Sequence, residues 1–154
     1  MGKDLGARFK ECIKSGKLKK SDDARALVEK ELRVARSDLK TAEDGLAESR
    51  WKWCTIQAYY SMFHSARALL YSKGYVEKSH YCLRAAIESL FASTGELDER
   101  FVDFFQIAKV MRENADYEEN FSDAGAQKIV ECAKQFLAAS KAIICTNQDL
   151  IKQI

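Results

Sequence analysis

Residues 51–72 read WKWCTIQAYYSMFHSARALLYS, and the fold is decided in this stretch. Trp51, Cys54, Ile56, Ala58, Tyr59, Met62, Phe63, Ala66, Leu69 and Leu70 leave little of a helical circumference polar. A helix apolar nearly all round is either central among other helices or turns one face to another subunit. One polar stripe interrupts it: positions 57, 60, 64, 67 and 71 share a face and carry Gln57, Tyr60, His64, Arg67 and Tyr71. Such groups are costly to bury unpaired, so the stripe meets water, a ligand, or hydrogen-bonding partners on another helix or subunit.

Working outward, the segment at about 22–49 places Val28, Leu32, Ala35, Leu39, Ala42 and Leu46 at alternating steps of four and three, a narrow seam facing a partner helix. At 1.5 Å per residue it is roughly 40 Å long and needs equally long neighbours. On the other side, Gly74 offers a helix stop. Ser79 suits the N-cap of a fourth helix carrying Leu83, Ala86, Ile87, Leu90 and Phe91, and Gly95 ends it. A fifth helix over about 98–115 holds Phe101, Phe104, Phe105, Ala108 and Met111. An acidic linker, Asp116 to Asp123, leads to a sixth over about 124–150 with Ile129, Ala133, Phe136, Leu137, Ile143 and Ile144. The chain has no proline to break these patterns. The reading is all-α: an up-and-down bundle of four to five main helices, the second and sixth flanking the middle ones, preceded by a short N-terminal helix from about Leu5 to Ile13.

Residues 1–21 stand apart as a basic helix or arm before the bundle of 22–154. Positions 1–20 carry seven basic and two acidic side chains, a +5 excess in a chain whose formal net charge is +2. Either this leader is simply solvated or it contacts something anionic. The small overall charge argues against double-stranded DNA as a partner. At 154 residues the chain has the length of one domain, with a core that needs no disulfide or metal to close it. Five cysteines, Cys12, Cys54, Cys82, Cys132 and Cys145, form no Cys-x-x-Cys pair, and only two histidines accompany them. The expectation is reduced, buried thiols, no disulfide framework, no metal site and no cofactor. No apolar run reaches the roughly 20 residues that span a bilayer, and charged residues interrupt the N-terminus where a signal peptide would be apolar, so a cytoplasmic protein is expected.

Three places could bear chemistry. The first is the polar stripe, where His and Arg beside aromatic rings suit base stacking as well as packing. The second is Tyr75, Lys78, Ser79 and His80, where a helix start and a cation would favour an anion, although a plain helix cap is the simpler reading of Ser79. The third is Arg112-Glu113-Asn114-Ala115-Asp116-Tyr117, in which Arg112 and Asp116 can pair on one helical face. No Gly-rich phosphate loop, His-Glu-x-x-His or Gly-x-Ser-x-Gly occurs, which removes the usual motif-based hydrolase proposals.

The run from Ala58 to Tyr71, followed by Gly74-Tyr75, Lys78-Ser79-His80 and Arg112 through Asp116-Tyr117, resembles the HEPN family, the higher-eukaryote and prokaryote nucleotide-binding domain. More narrowly it resembles the small stand-alone prokaryotic members encoded beside a minimal nucleotidyltransferase. The resemblance spans residues 22–150. It implies a helical bundle that dimerises around a cleft, and in many relatives metal-independent RNA cleavage within toxin and antitoxin pairs. In catalytic relatives an Arg is followed after four to six residues by a His, which would move a proton at the ribose 2′-hydroxyl or leaving oxygen while the Arg steadies phosphate charge. Arg112 fits the Arg position, Tyr117 stands at the His position, and no His follows.

A tyrosine with pKa near 10 is a weak general base, and losing proton transfer typically costs about a hundred- to ten-thousand-fold in rate. The resemblance therefore implies a homodimeric nucleotide- or RNA-binding partner of a minimal nucleotidyltransferase. Arg112 and Tyr117 would be the degenerate motif. Tyr60, His64, Arg67, Lys78, Ser79, His80 and Asp116 would contact nucleotide or single-stranded RNA. The alternatives are a metal-independent ribonuclease toxin and a non-catalytic helical module.

Overall fold

A computed structural model of the protein describes residues 2–115 and 121–152. Six helices are present: α1 (Gly2–Lys14), α2 (Val28–Ala47), α3 (Trp51–Ser72), α4 (His80–Ile87), α5 (Glu99–Ala115) and α6 (Asp123–Lys152). A 3₁₀ turn at Ala24–Leu27 leads into α2, and a π turn at Glu88–Ala92 continues α4. The all-α bundle expected from the periodicity is what the chain forms, and α3 is its centre, packed against α2, α4, α5 and α6.

The α2–α3 hairpin is tight because small residues line both sides. Ala35 and Ala42 on α2, and Ala58, Ser61 and Ser65 on α3, are fully buried. The Ser61 hydroxyl donates to the Ala35 carbonyl across the interface at 2.9 Å. Nearer the turn, a Cβ on Gly45 would lie 3.2 Å from Cβ of Cys54, so a side chain there would push the two helices apart by a few tenths of an ångström. Larger residues fill the other flanks of α3. Met62, Leu69 and Leu70 join Leu83, Ile87, Phe91, Phe105, Phe136 and Ile144 in one core with no appreciable exposure.

Two features depart from the sequence expectation. First, a two-stranded antiparallel ribbon pairs β1 (Leu18–Lys20) with β2 (Tyr75–Glu77), in the register Leu18 to Glu77 and Lys20 to Tyr75. Gly16 and Gly74, at φ of 77° and 82°, reverse the chain beside each strand, a conformation that glycine adopts without steric cost. Three residues per strand are too few for alternation to show against a helical background. Second, the thiols are not all reduced and buried. Cys12 and Cys82 form a disulfide between α1 and α4, and Cys145 is exposed, leaving Cys54 and Cys132 as buried free thiols. Cysteine spacing along the chain carries no information about two residues 70 apart that the α1–α4 packing brings together.

The N-terminal residues are thus fastened to the bundle by the disulfide, by the ribbon and by Arg8, which reaches Glu88 at 3.9 Å. Among the described residues, no helix is long and apolar enough to cross a membrane.

Candidate functional site

The polar stripe of α3 does not act as one unit. Its lower part turns to α2 and β2, its upper part to α5.

On the α2 side, Glu31 occupies the buried seam itself, three residues after Val28 and four before Ala35, with 6% of its side chain exposed. A carboxylate there needs polar partners, and α3 supplies two. His64 Nδ1 lies 2.6 Å from Glu31 Oε2, and Arg67 Nη1 lies 3.7 Å from Glu31 Oε1. His64 also faces Asp38 at 3.9 Å, one helical repeat further along the same face of α2. Burial raises the Asp38 carboxyl above its usual range, and His64 opposes this. Arg67 then crosses to the ribbon, where its Nε donates to Glu77 Oε1 at 3.3 Å while its guanidinium lies over the Phe63 and Tyr71 rings. Burial works against the Arg67 charge, but Glu77, Tyr71 and Glu31 together outweigh it and hold its pKa above the ordinary value. Burial likewise raises Glu77, with Arg67 opposing. This chain of polar contacts, Asp38–His64–Glu31–Arg67–Glu77, ties α2, α3 and β2 together.

On the α5 side, Arg112 Nη2 donates to the Tyr60 hydroxyl at 3.1 Å, and its guanidinium stands 5.7 Å from the Tyr60 ring centroid and 6.0 Å from that of Tyr59. Burial pushes the Tyr59 hydroxyl up to about 12, against the pull of Arg112. Against Tyr59 lies His80, stacked on that ring at 6.0 Å and tilted against Phe105 at 4.5 Å. Its Nε2 is buried without a hydrogen-bond partner among the described residues. Desolvation, reinforced by Lys109 and Arg84 and opposed by Glu113, lowers the imidazole pKa to about 4, so His80 is neutral at pH 7. A neutral ring among aromatic rings packs well and is a poor proton acceptor.

Ser79 is the N-cap of α4, its hydroxyl accepting from Cys82 N–H at 3.1 Å. Lys78 is exposed, and its backbone N–H bonds the Lys17 carbonyl at 2.9 Å, extending the ribbon ladder by one step. Asp116 and Tyr117 lie outside the described residues. The fold therefore brings Tyr60, Arg112 and, through Tyr59, His80 into one cluster, and sets His64 and Arg67 in another. Sequence reasoning missed Glu31, Glu77, Tyr59 and Phe105. The signal for Glu31 was present, since a carboxylate on the apolar face of α2 demands a partner.

The sequence pattern of the HEPN domain matches residues 28–143. The chain belongs to the HEPN domain family. Within it, the chain is 29% identical over 91 residues to a Methanocaldococcus jannaschii protein named "Putative toxin MJ0142", a match covering 59% of this chain and 62% of that one. It is 28% identical over 114 residues to a UPF0332 protein of Thermotoga maritima, covering 73% and 86%. The HEPN match begins at the first residue of α2, so α1, β1 and the 3₁₀ turn precede the matched region. Arg112, Tyr60, His64 and Arg67 all fall inside it.

Proposed function

We propose that this HEPN protein is a homodimeric nucleotide- or RNA-binding protein that works with a minimal nucleotidyltransferase in a toxin–antitoxin-like pair. The observation that carries the reading is the Arg112 shelf: a guanidinium held over two tyrosine rings and fixed by the Tyr60 hydroxyl. A guanidinium has five N–H donors in a planar fork suited to phosphate, and among the described residues this one gives a side-chain hydrogen bond to Tyr60 alone. Aromatic rings beside such a cation offer faces on which bases stack. The α2-side cluster supports binding less directly. Its His64 and Arg67 already face carboxylates, so its role is to hold α3 and β2 in register.

A metal-independent ribonuclease is the second reading, and two observations favour it. A relative carries the name of a toxin, and His80 lies in the same aromatic cluster as Arg112. Against it, His80 is a weak base at neutral pH, and His64 is held by Glu31 on the α2 side. The test is to incubate the protein and its Arg112→Ala variant with mixed cellular RNA in excess EDTA, following RNA length and, in parallel, retention of RNA on the protein. The binding reading expects intact RNA with both proteins and retention by the wild type only. Cleavage by the wild type alone establishes the ribonuclease, and equal retention by both removes Arg112 from the site.

A further inference from the structure

The basic leader noted in the sequence lies outside the HEPN match and is unused by the site above, yet the fold gives it a definite surface. Lys10 and Lys14 are exposed one turn apart on α1, and Lys17, Lys19 and Lys20 are exposed on and beside β1. The ribbon adds a cation from 61 residues away, because the Lys78 N–H bonds the Lys17 carbonyl. Arg25 closes the same side, its Nε donating to the Ser72 carbonyl at 3.3 Å, with the guanidinium against Gly74 just before β2. Three stretches distant in sequence thus converge. Among the described residues, none of these seven cations makes an ion pair. The β2 carboxylate, Glu77, faces Arg67 with 6% of its side chain exposed, so it does not neutralise the ribbon from outside.

An aromatic pair lies beside Lys20. Lys20 Nζ stands 6.0 Å from the centroid of the Tyr75 ring, and Phe9 meets Tyr75 edge-on at 5.7 Å, both rings only partly covered. Unpaired cations along an extended track with a partly open aromatic ring are the combination that single-stranded nucleic acid uses: phosphates for the charges, bases for the ring. A merely acidic protein surface would use the charges and leave the ring idle. In sequence, β2 leads through Lys78 and Ser79 into His80, the first residue of α4.

We infer that the α1–ribbon surface, with Lys10 and Lys14 on α1, Lys20 beside Tyr75, and Lys17, Lys19 and Lys78 along the ribbon, is a second contact surface for the backbone of single-stranded RNA. The inference deepens the RNA-binding reading above by giving the strand a path beyond Arg112. Because that face is held by α1 and β1, its contribution is separable from the site.

The experiment measures binding of a 5′-fluorescein-labelled 20-residue oligouridylate by anisotropy, in EDTA, from 50 to 200 mM KCl, on the full chain with its disulfide intact. Four proteins are compared: wild type, Lys17→Gln/Lys19→Gln/Lys20→Gln, the same three changed to Arg, and Arg112→Ala. Each phosphate contact to a single strand contributes about 0.7 to the slope of log K against log salt, so the Gln triple should lower the slope by about 2 and weaken binding at least about tenfold at 50 mM. The Arg triple, keeping the charges, should match the wild type and show that the ribbon itself was not damaged.

An unchanged slope in the Gln triple overturns the inference, as does equal weakening in the Arg triple. Wild-type competition by poly-L-glutamate as effective as by unlabelled oligouridylate also overturns it, in favour of an acidic protein partner. Loss in the Gln triple with Arg112→Ala unaffected upholds this surface and refutes the Arg112 site. The reverse pattern refutes this surface and leaves the site standing.

Discussion

His80 makes the stability of the protein depend on pH in a way that one substitution should abolish. In the folded protein its imidazole titrates at about 4, against an ordinary value of 6.5, because it is packed on Tyr59 and Phe105 with Lys109 and Arg84 nearby. Above pH 6.5 the ring is neutral in both folded and unfolded chains and contributes nothing to the pH dependence. As pH falls through 6.5 the unfolded chain takes up a proton that the folded chain refuses, so stability is lost, and the loss levels off below about 4. Between pH 7 and pH 5 the linkage relation amounts to about 2 kcal/mol for a fully shielded ring. His80 keeps part of its surface in water, and solvent screening reduces this to about 1 kcal/mol. In His80→Phe the proton site is gone while an aromatic ring still fills the space. Urea unfolding at pH 7 and pH 5 should therefore show the wild type losing about 1 kcal/mol more than His80→Phe over the interval. Carboxylates elsewhere affect both proteins alike and cancel in the comparison. An equal loss in the two proteins, or an NMR titration of the His80 ring near 6.5, would refute the reasoning.

Two other perturbations test the packing around the site. Glu31→Ala leaves His64 and Arg67 without the carboxylate they share, and breaking a buried pair by deleting one partner typically costs about 3–5 kcal/mol. Chemical denaturation should register a loss of that order, with Glu31→Gln milder because it can still hydrogen-bond. Reducing the Cys12–Cys82 disulfide, or replacing both cysteines by serine, opens a loop of 70 residues, for which loop-closure entropy amounts to about 4 kcal/mol. A thermal unfolding midpoint indifferent to reductant would show that the ribbon and the α1 packing fasten the N-terminus without it.

The helices were readable because each carries one dominant period, and the caps agree with it. Ser79 is the N-cap that its type suggests, and the seam residues Val28, Leu32, Ala35, Leu39 and Ala42 are all buried. The helix apolar all round is the central one, as its composition requires. Less legible were features that depend on two distant segments meeting. The ribbon needs three residues from each side of two glycine turns, and the disulfide needs α1 docked on α4. On α5, Phe101 and Phe105 are buried as the periodicity implies, whereas Phe104 and Met111 are only partly covered, and Ile107 and Val110 stand exposed at 52% and 44%. The helix has apolar residues on more of its circumference than this chain alone covers.

The candidate site shows why a shared helix face does not imply a shared site. Tyr60, His64 and Arg67 follow one another at steps of four and three, so on α3 alone they form one stripe. A stripe running the length of a central helix passes under more than one neighbour, and the neighbour decides what each residue does. Where α2 lies opposite, it carries Glu31 and Asp38, and the α3 residues become partners of those carboxylates. Where α5 lies opposite, Arg112 meets two tyrosines, and the same stripe becomes an aromatic shelf for a cation. The division has a chemical consequence. The histidine held by a carboxylate is on the α2 side, while the arginine that would steady a phosphate is on the α5 side next to a histidine kept neutral by its surroundings. A proton-transfer group and a phosphate-steadying cation acting on one bond must sit together. In this chain the histidine nearest the cation is kept neutral and packed against aromatic rings, which is why the function proposed above favours a site that holds RNA over one that cuts it.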